Sequence, residues 1–373
     1  MSNINITFLG TASAQPSHTR NHSSLALRLN GDVWLFDCGE GTQHQIQKST
    51  VKMGRISKVF ITHTHGDHIF GLLPLLASRL NGAGGMLDEA LDPRATGIFD
   101  SKPLEIYGPS GTRAYVRTGL LYTHTLLSGP YVVHELRLPD DLPDTITSLP
   151  RHTAELPGRD IQQVEGVWPE IYKDPTFSVS AAPILHSVPS PIPGKIDPKQ
   201  YVPHLKRTGT PLSVMRQLQQ GESVKLSDGT VLQGPSKLLG DTCDPSPIVG
   251  LAMHADVLIH EATNAHLPEI DPDTKPDDTD SVVEERSKSR GHSTPQMAAC
   301  FATHVHARKL VLNHFSSRYA GDYDPTTHHG DPRLAAKETM EAIRGLAQAH
   351  FDGPIVCARD FMTFDVQHSH DVQ

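Results

Sequence analysis

Six consecutive residues, His63-Thr64-His65-Gly66-Asp67-His68, contain four side chains that can bind a metal ion. At the His and Asp frequencies of this chain, an HxHxDH match is expected only ~0.007 times by chance. His63 and His65 project to the same side of an extended turn, whereas Gly66 lets the backbone bend so that Asp67 and His68 begin a helix and face a second point. The motif therefore predicts one segment that serves two metals. The alternative is a surface cluster in a chain with 23 histidines.

Two adjacent metals need further ligands, and three candidates lie at the ends of predicted strands. His186 follows a strand predicted at 177–185, Asp241 lies in a Gly-Asp-Thr sequence, and His314 follows a strand predicted at 310–313. Asp241 is the natural bridge, because a carboxylate has two oxygens and the negative charge that adjacent dications require. Each of the three could alternatively be an ordinary polar residue, but their shared position at strand ends favours the ligand interpretation.

Two further residues suggest proton transfer beside the metals. Glu261 ends a strand predicted at 257–261, and His292 lies in Gly291-His292-Ser293-Thr294 at a predicted helix start. If the two side chains meet, Glu261 orients His292, which then protonates a leaving group. A salt-bridged surface glutamate and a histidine in a capping loop are the alternatives.

The elements that position these residues alternate between short strands and helices, which predicts an α/β protein. The first three predicted strands, at 4–9, 24–29 and 33–36, form an antiparallel meander. Helices are predicted at 68–79, 111–127, 294–304 and 333–347, and further strands at 58–62, 104–107, 237–239, 257–259 and 310–312. Ser293-Thr294 followed by Pro295 indicates a helix start.

We predict one domain over residues 1–364 and a polar tail over 365–373. Surface insertions are predicted near 82–103, 139–175 and 266–290 from their glycine, proline and acidic content. The segment near 189–211 is rich in proline and basic residues, which predicts a short protruding arm.

Composition excludes several classes of protein. No apolar run approaches the ~20 residues of a membrane span, since the richest, 69–80, is interrupted by Gly71, Pro74 and Arg79. The net charge of -9 argues against a broadly basic surface but allows nucleic acid held by a local patch or by metal ions. Four scattered cysteines and the lack of a signal-peptide pattern favour an intracellular protein, cytoplasmic or nuclear and not secreted.

The chain resembles the metallo-β-lactamase superfamily and, within it, the short-form ribonuclease Z family. Besides HTHGDH, the resemblance is carried by six motifs: Phe8-Leu9-Gly10-Thr11, WLFDCGEGTQHQI at 34–46, Gly240-Asp241-Thr242, His260-Glu261-Ala262-Thr263, Gly291-His292-Ser293-Thr294 and His314-Phe315-Ser316-Ser317-Arg318-Tyr319. They span nearly the whole chain.

The resemblance implies a four-layer αβ/βα sandwich that binds two zinc ions per subunit. It assigns His63, His65 and His186 to one zinc, Asp67, His68 and His314 to the other, and Asp241 to the bridge. It also implies that Asp67 acts as base toward the metal-bound water, while Glu261 and His292 serve the leaving group.

The implied reaction removes the 3′ trailer from precursor tRNA by metal-hydroxide attack on the phosphodiester. The arm near 189–211 is then the tRNA-binding element, and a homodimer is implied by resemblance alone. A small-molecule phosphodiesterase or arylsulfatase on the same fold is the alternative enzyme. A catalytically silent RNA-binding subunit is disfavoured, since all seven ligand positions are filled.

Overall fold

The structure, a computed structural model, describes residues 4–84, 97–141, 149–175, 177–184, 186, 190–198, 224–225, 231–232, 237–238, 241–321 and 332–366. The chain divides into two compact units. Unit 1 comprises Met1–Gly10, Asn21–Glu165 and Phe361–Phe364, and unit 2 comprises Thr11–Arg20, Gly166–Asp360 and Asp365–Gln373.

The strands and helices alternate through both units. The strands are β1 Ile4–Gly10, β2 Ala12–Ser13, β3 Ser24–Leu29, β4 Asp32–Phe36, β5 Ile56–Phe60, β6 Ala83–Gly84, β7 Leu104–Pro109, β8 Thr125–Leu126, β9 Tyr131–Arg137, β10 Glu155–Leu156, β11 Asp160–Gln162, β12 Trp168–Lys173, β13 Phe177–Ile184, β14 Ser190–Pro198, β15 Val224–Lys225, β16 Val231–Leu232, β17 Lys237–Leu238, β18 Leu258–Glu261, β19 Leu310–Asn313, β20 Phe315–Ser316, β21 Ile355–Cys357 and β22 Thr363–Val366. The helices are α1 Thr42–Lys48, α2 Gly66–Ile69, α3 Leu72–Arg79, α4 Thr112–Tyr122, α5 Val249–Ala252, α6 Asp280–Lys288, α7 Pro295–His304 and α8 Pro332–Gln348.

Unit 1 is built on a mixed sheet with strand order β10-β9-β7-β5-β4-β3-β1-β22, and β11 also pairs with β9. The predicted meander is confirmed, since β1, β3 and β4 pair antiparallel, whereas β4, β5, β7 and β9 are parallel. Side chains of one sheet face, such as Leu35, Val59 and Ile106, share a core cluster with Ile46 of α1 and Leu76 of α3. This packing fixes β5, whose end leads into the HTHGDH segment.

The helix predicted at 68–79 is two helices, and a close backbone contact requires glycine between them. α2 ends at Ile69 and α3 begins at Leu72, with Gly71 between them. A Cβ atom on Gly71 would lie 2.0 Å from the carbonyl oxygen of Gly39, so only glycine fits this contact. Pro74 lies in the first turn of α3, where its missing N–H has no intrahelical acceptor to lose.

Unit 2 contains a parallel sheet with strand order β17-β18-β19-β21 and an antiparallel sheet β12-β13-β14. Its core joins the parallel strands to α7 and α8 through Leu258, Leu312, Phe301 and Ile343. The predicted start of α7 is confirmed: the Thr294 hydroxyl accepts a hydrogen bond from the Met297 N–H at 3.4 Å. The predicted α/β class is therefore found in each unit.

Elsewhere the predicted bounds differ modestly from the structure. The helix predicted at 111–127 ends at Tyr122, because His124 takes a positive φ of 48° and the chain continues as β8. Of the predicted arm, β14 is described, whereas 199–211 lies outside the described residues. Most of the insertion at 82–103 also lies outside them, and the insertion at 266–290 contains α6. The single domain over 1–364 stays a prediction. None of the helices in the described segments has the length and apolar character that a membrane span requires.

Arg20, 1% exposed, ties together three distant segments of unit 2. Its Nε donates to the Tyr319 carbonyl at 2.8 Å, and its Nη1 donates to the Ala358 carbonyl at 2.9 Å and the Thr11 hydroxyl at 2.7 Å. Thr11 in turn donates to the buried carboxylate of Asp360 at 2.7 Å. The guanidinium thus fixes the residues that follow β1.

Arg20→Met should lower the free energy of unfolding by about 3 kcal/mol, because it leaves buried carbonyl oxygens without their donors. Denaturant unfolding of both proteins measures the difference. Arg344→Met, at an exposed position on α8, is the control and should stay within about 0.5 kcal/mol of the parent. Equal stabilities of the two variants would show that the Arg20 contacts contribute nothing.

Candidate metal centre

The HTHGDH segment leaves β5 and forms a compact cluster of imidazoles and one carboxylate in unit 1. His63 and His68 are buried, and their ring centroids are 4.0 Å apart. Nε2 of His63 lies 3.0 Å from Nδ1 of His65. Asp67, in the first turn of α2, places Oδ2 3.4 Å from Nε2 of His68. His63 with His65, and Asp67 with His68, therefore each present two donor atoms toward a common point.

Asp37 orients this cluster from behind. Its Oδ2 lies 2.7 Å from Nδ1 of His68, and its Oδ1 accepts the Thr62 backbone N–H at 2.8 Å. The Thr62 hydroxyl donates to the same carboxylate at 2.9 Å and lies 3.1 Å from Nδ1 of His63. Because the Thr62 hydrogen points to Asp37, the hydroxyl accepts from His63. Both histidines thus carry a proton on Nδ1 and keep Nε2 as a ligand.

The unit 2 cluster begins with Asp241 and His314. Both side chains are buried, and Oδ2 of Asp241 lies 3.2 Å from Nε2 of His314. Nδ1 of His314 lies 3.1 Å from the Thr263 hydroxyl, which also donates to Glu261 Oε2 at 2.6 Å. The hydroxyl therefore accepts from the imidazole, so that the Nε2 lone pair of His314 faces the Asp241 carboxylate.

Glu261 and His292, predicted to meet, do so within unit 2. Nδ1 of His292 donates to Oε1 of Glu261 at 3.1 Å, and the same oxygen accepts the Thr242 backbone N–H at 2.7 Å. The Glu261 side chain is buried, and with Thr263 on Oε2 both of its oxygens have donors. Donor atoms of Glu261, His292 and His314 all lie within 4.8 Å of one another. Glu261 can therefore hold His292 in one orientation.

His186 completes the unit 2 cluster. Its Nδ1 donates to the Gly291 carbonyl at 2.9 Å, which leaves Nε2 unprotonated as a ligand atom. The His186 and His292 rings meet edge-on with centroids 5.2 Å apart. The loop after α6 thus positions two imidazoles. The carbonyl of Gly291 holds the His186 ring, and the next residue of the loop is His292 itself.

The donor spacings fit a tetrahedral zinc ion. Zinc–nitrogen bonds of 2.0–2.1 Å with tetrahedral angles put two ligand atoms roughly 3.3 Å apart. Within each unit, the distances between donor atoms are 3.0 Å for His63 and His65, 3.4 Å for Asp67 and His68, and 3.2 Å for Asp241 and His314. Five imidazoles, four of them with fixed tautomers, and two carboxylates form a nitrogen and oxygen donor set of the kind that zinc prefers.

Three positioning residues escaped the sequence analysis, namely Asp37, Thr62 and Thr263. Asp37 lies within the WLFDCGEG run that carried the family resemblance, but its role depends on contacts 25 and 31 residues along the chain. Thr62 directly precedes the ligand His63, and Thr263 follows Glu261 by two residues. That proximity was the only available signal. His260, beside Glu261, is fully buried against Phe301, and burial lowers its pKa below the usual value.

Comparison with known proteins gives consistent similarities over nearly the full length. The chain is 35% identical to zinc phosphodiesterase ELAC protein 1 of Bos taurus over 97% of this chain and 98% of that protein. It is 35% identical to ribonuclease Z of Cyanothece sp., with 97% and 96% covered. The crystal structure of human tRNase Z, short form (ELAC1), is 31% identical with a TM-score of 0.60, covering 98% of this chain and all of that one.

Two other comparisons concern the fold and the N-terminal region. The metallo-β-lactamase fold protein YhfI from Bacillus subtilis is 15% identical with a TM-score of 0.55, covering 97% of this chain and 99% of that one. The family described as anti-Pycsar protein Apyc1 matches residues 4–81. The predicted metallo-β-lactamase fold is confirmed.

Proposed function

The chain belongs to the ribonuclease Z family, which includes the ELAC1 zinc phosphodiesterases, and from this we infer a zinc-dependent endoribonuclease that removes the 3′ trailer from precursor tRNA. The observation that carries the proposal is full-length identity of 35% to enzymes of that name. The hydrolase class and the tRNA-processing role predicted from the sequence agree with it. Zinc agrees with the donor spacings of both clusters.

We further propose two zinc ions per subunit, held jointly by the two clusters. His63, His65 and His186 would hold one ion, and Asp67, His68 and His314 the other, with Asp241 between them. Locked imidazole tautomers and paired donor spacings within each unit support this assignment. When bound, such ions lower the pKa of a coordinated water to about 7 and stabilise charge that develops on the phosphate.

The residues of the chain supply the proton transfers. Oδ2 of Asp67 lies 3.4 Å from Nε2 of His68, which places the carboxylate beside the ion and water of the proposed centre. It therefore acts as the base in our proposal. Glu261 holds His292 through Nδ1, so Nε2 of His292 is left to donate a proton to the leaving oxygen. Thr242 and Thr263 hold the Glu261 carboxylate in place by donating to it.

We propose that the arm near 189–211 contacts precursor tRNA through its basic residues, and that the protein acts as a homodimer inside the cell. The arm contains Lys195, Lys199, Lys206 and Arg207 against one acid, Asp197. Such a local patch binds phosphates even though the chain as a whole carries a charge of -9. A precursor-tRNA substrate supports the predicted cytoplasmic or nuclear location.

Neutralising three arm cations tests the substrate assignment. Deleting 191–207 would remove most of β14, which pairs with β13, so K199Q/K206Q/R207Q is the sharper variant. We expect cleavage of a trailer-bearing tRNA precursor to fall at least about tenfold at physiological salt, because each lost cation removes a phosphate contact. Hydrolysis of bis(p-nitrophenyl) phosphate should be unchanged. Mapping of the parent's products should show one cut immediately after the discriminator nucleotide.

The matched control is K48Q/K102Q/R151Q, which removes the same charge at exposed positions of unit 1. It should cleave the precursor like the parent. Equal loss of RNA and small-ester hydrolysis in the arm variant would argue against a tRNA-contacting arm. A zinc-loaded parent that hydrolyses the small ester but leaves the precursor intact would instead favour the small-molecule phosphodiesterase or arylsulfatase alternative.

A further inference from the structure

A second, chemically distinct cleft lies in unit 1 at the other end of β5. It has a volume of about 210 Å³, and its lining includes Arg28, Lys52 and Arg55. Arg55 directly precedes β5, and His63 of the metal cluster follows it. At ~3.3 Å per residue, the eight residue steps from Arg55 to His63 span roughly 25 Å. The cleft is therefore separate from the proposed catalytic residues.

Local structure keeps this cleft open. The β3–β4 hairpin turns through Asn30 and Gly31, both with positive φ, and a Cβ atom on Gly31 would meet no atom within 4 Å. Lys52 precedes the short 3-10 helix Met53–Arg55, and Arg55 is its last residue. The lining of the cleft therefore comes from the β3–β4 hairpin, which contributes the exposed Arg28, and from this helical turn, which contributes the exposed Lys52 and Arg55.

The chemistry of the lining selects for an anion. Among the described residues that line it, three are cationic and none is acidic, in a chain whose net charge is -9. Arg28, Lys52 and Arg55 are exposed and make no ion pair with any residue of the described segments. The lining also includes the buried polar residues Asn5 and Thr7, 7% and 3% exposed, and the apolar residues Ala26 and Val33. Two guanidinium groups and one ammonium suit the oxygens of a phosphate group.

Size and position decide between a small ligand and RNA. A volume of about 210 Å³ is below the ~300–1,000 Å³ of pockets for drug-sized molecules. The cleft therefore suits a phosphate group and only a small part of any molecule that carries it. It lies roughly 25 Å from the HTHGDH segment, at the opposite end of β5, so it is not part of the proposed reaction site. We propose that the cleft binds a small phosphate-bearing anion, either inorganic phosphate or the phosphate end of a mononucleotide.

Calorimetric titration of the zinc-loaded protein with inorganic phosphate, 5′-AMP and adenosine tests this site. The variant is Arg28→Ala/Arg55→Ala, and the control Lys102→Ala/Arg151→Ala removes two exposed cations elsewhere in unit 1. Phosphate also binds zinc, so inhibition of bis(p-nitrophenyl) phosphate hydrolysis by phosphate is measured separately and should be the same in all proteins. We expect the parent and control to show a binding event that weakens about 10- to 100-fold in the variant.

The titrations with adenosine and AMP show whether the bound phosphate belongs to a mononucleotide. Adenosine should give no event at this site, and AMP binding tighter than phosphate would identify a mononucleotide rather than a bare phosphate. Identical phosphate and AMP titrations of parent and variant would overturn the proposal. A short oligoribonucleotide without terminal phosphates is the last ligand to test. If its binding depends on Arg28 and Arg55 and neither small anion binds there, the proposal is overturned and the cleft is an RNA contact. Equal unfolding midpoints of variant and control exclude a folding defect.

Discussion

Asp67→Ala should reduce phosphodiester hydrolysis at least about 10³-fold, for RNA and for small esters alike. Asp67 is assigned two tasks in our proposal, as a ligand beside His68 and as the base toward the attacking water. Alanine removes both, while the fold of α2 is retained, because alanine is a good helix former. Steady-state hydrolysis of bis(p-nitrophenyl) phosphate and precursor cleavage measure the loss, with zinc content determined on the same samples.

Asp67→Asn separates the two tasks. The amide oxygen can still bind a metal but accepts a proton poorly, so we expect most of the zinc to remain and most of the activity to be lost. Asp32→Ala removes an exposed carboxylate of the same unit and should behave like the parent. Full zinc content and activity within about tenfold of the parent in Asp67→Ala would remove Asp67 from the proposed centre.

His292→Ala should slow single-turnover cleavage of precursor tRNA by about 10²- to 10⁴-fold, the usual contribution of a general acid. Affinity for the precursor should change little, because His292 acts on the leaving oxygen rather than on the tRNA body. The leaving group provides a sharper readout. p-Nitrophenolate departs without a proton, so hydrolysis of its diester should be reduced far less than RNA cleavage.

His304→Ala, at an exposed position in the last turn of α7, is the matched histidine control. Glu261→Gln should give a smaller loss of about 10- to 100-fold, since it removes the charge that orients His292 but keeps its side-chain shape. Equal losses of RNA and nitrophenyl diester hydrolysis in His292→Ala would contradict a role in protonating the leaving group.

Local patterns in the sequence predicted most of what lies within one element, and less of what depends on distant contacts. HTHGDH, the Thr294-Pro295 helix start and the β1–β3–β4 meander are specified over a few residues by spacing, capping and alternation. The meeting of Glu261 with His292 was predictable only as a possibility, since 31 residues separate them. The break at Gly71 was missed because it depends on a contact with the Gly39 carbonyl.

The positioning residues show the same limit. Asp37 resembles any acid after a strand until the fold brings it to Thr62 and His68. Arg20, in a polar loop, reads as a surface cation, yet it is buried among carbonyl groups from Tyr319 and Ala358 about three hundred residues away in the chain. Hydrogen-bond partners at such separations follow from tertiary structure and leave no periodic signal in the sequence.

The shared carboxylate of Asp37 has a consequence for how the protein acquires its ions. By fixing His68 directly and His63 through Thr62, it removes the rotational freedom of two imidazoles as the chain folds. Ordering a flexible side chain costs about 0.5–1.5 kcal/mol at a binding event. The entropy loss is therefore incurred during folding, and an arriving cation meets ligands that are already aligned.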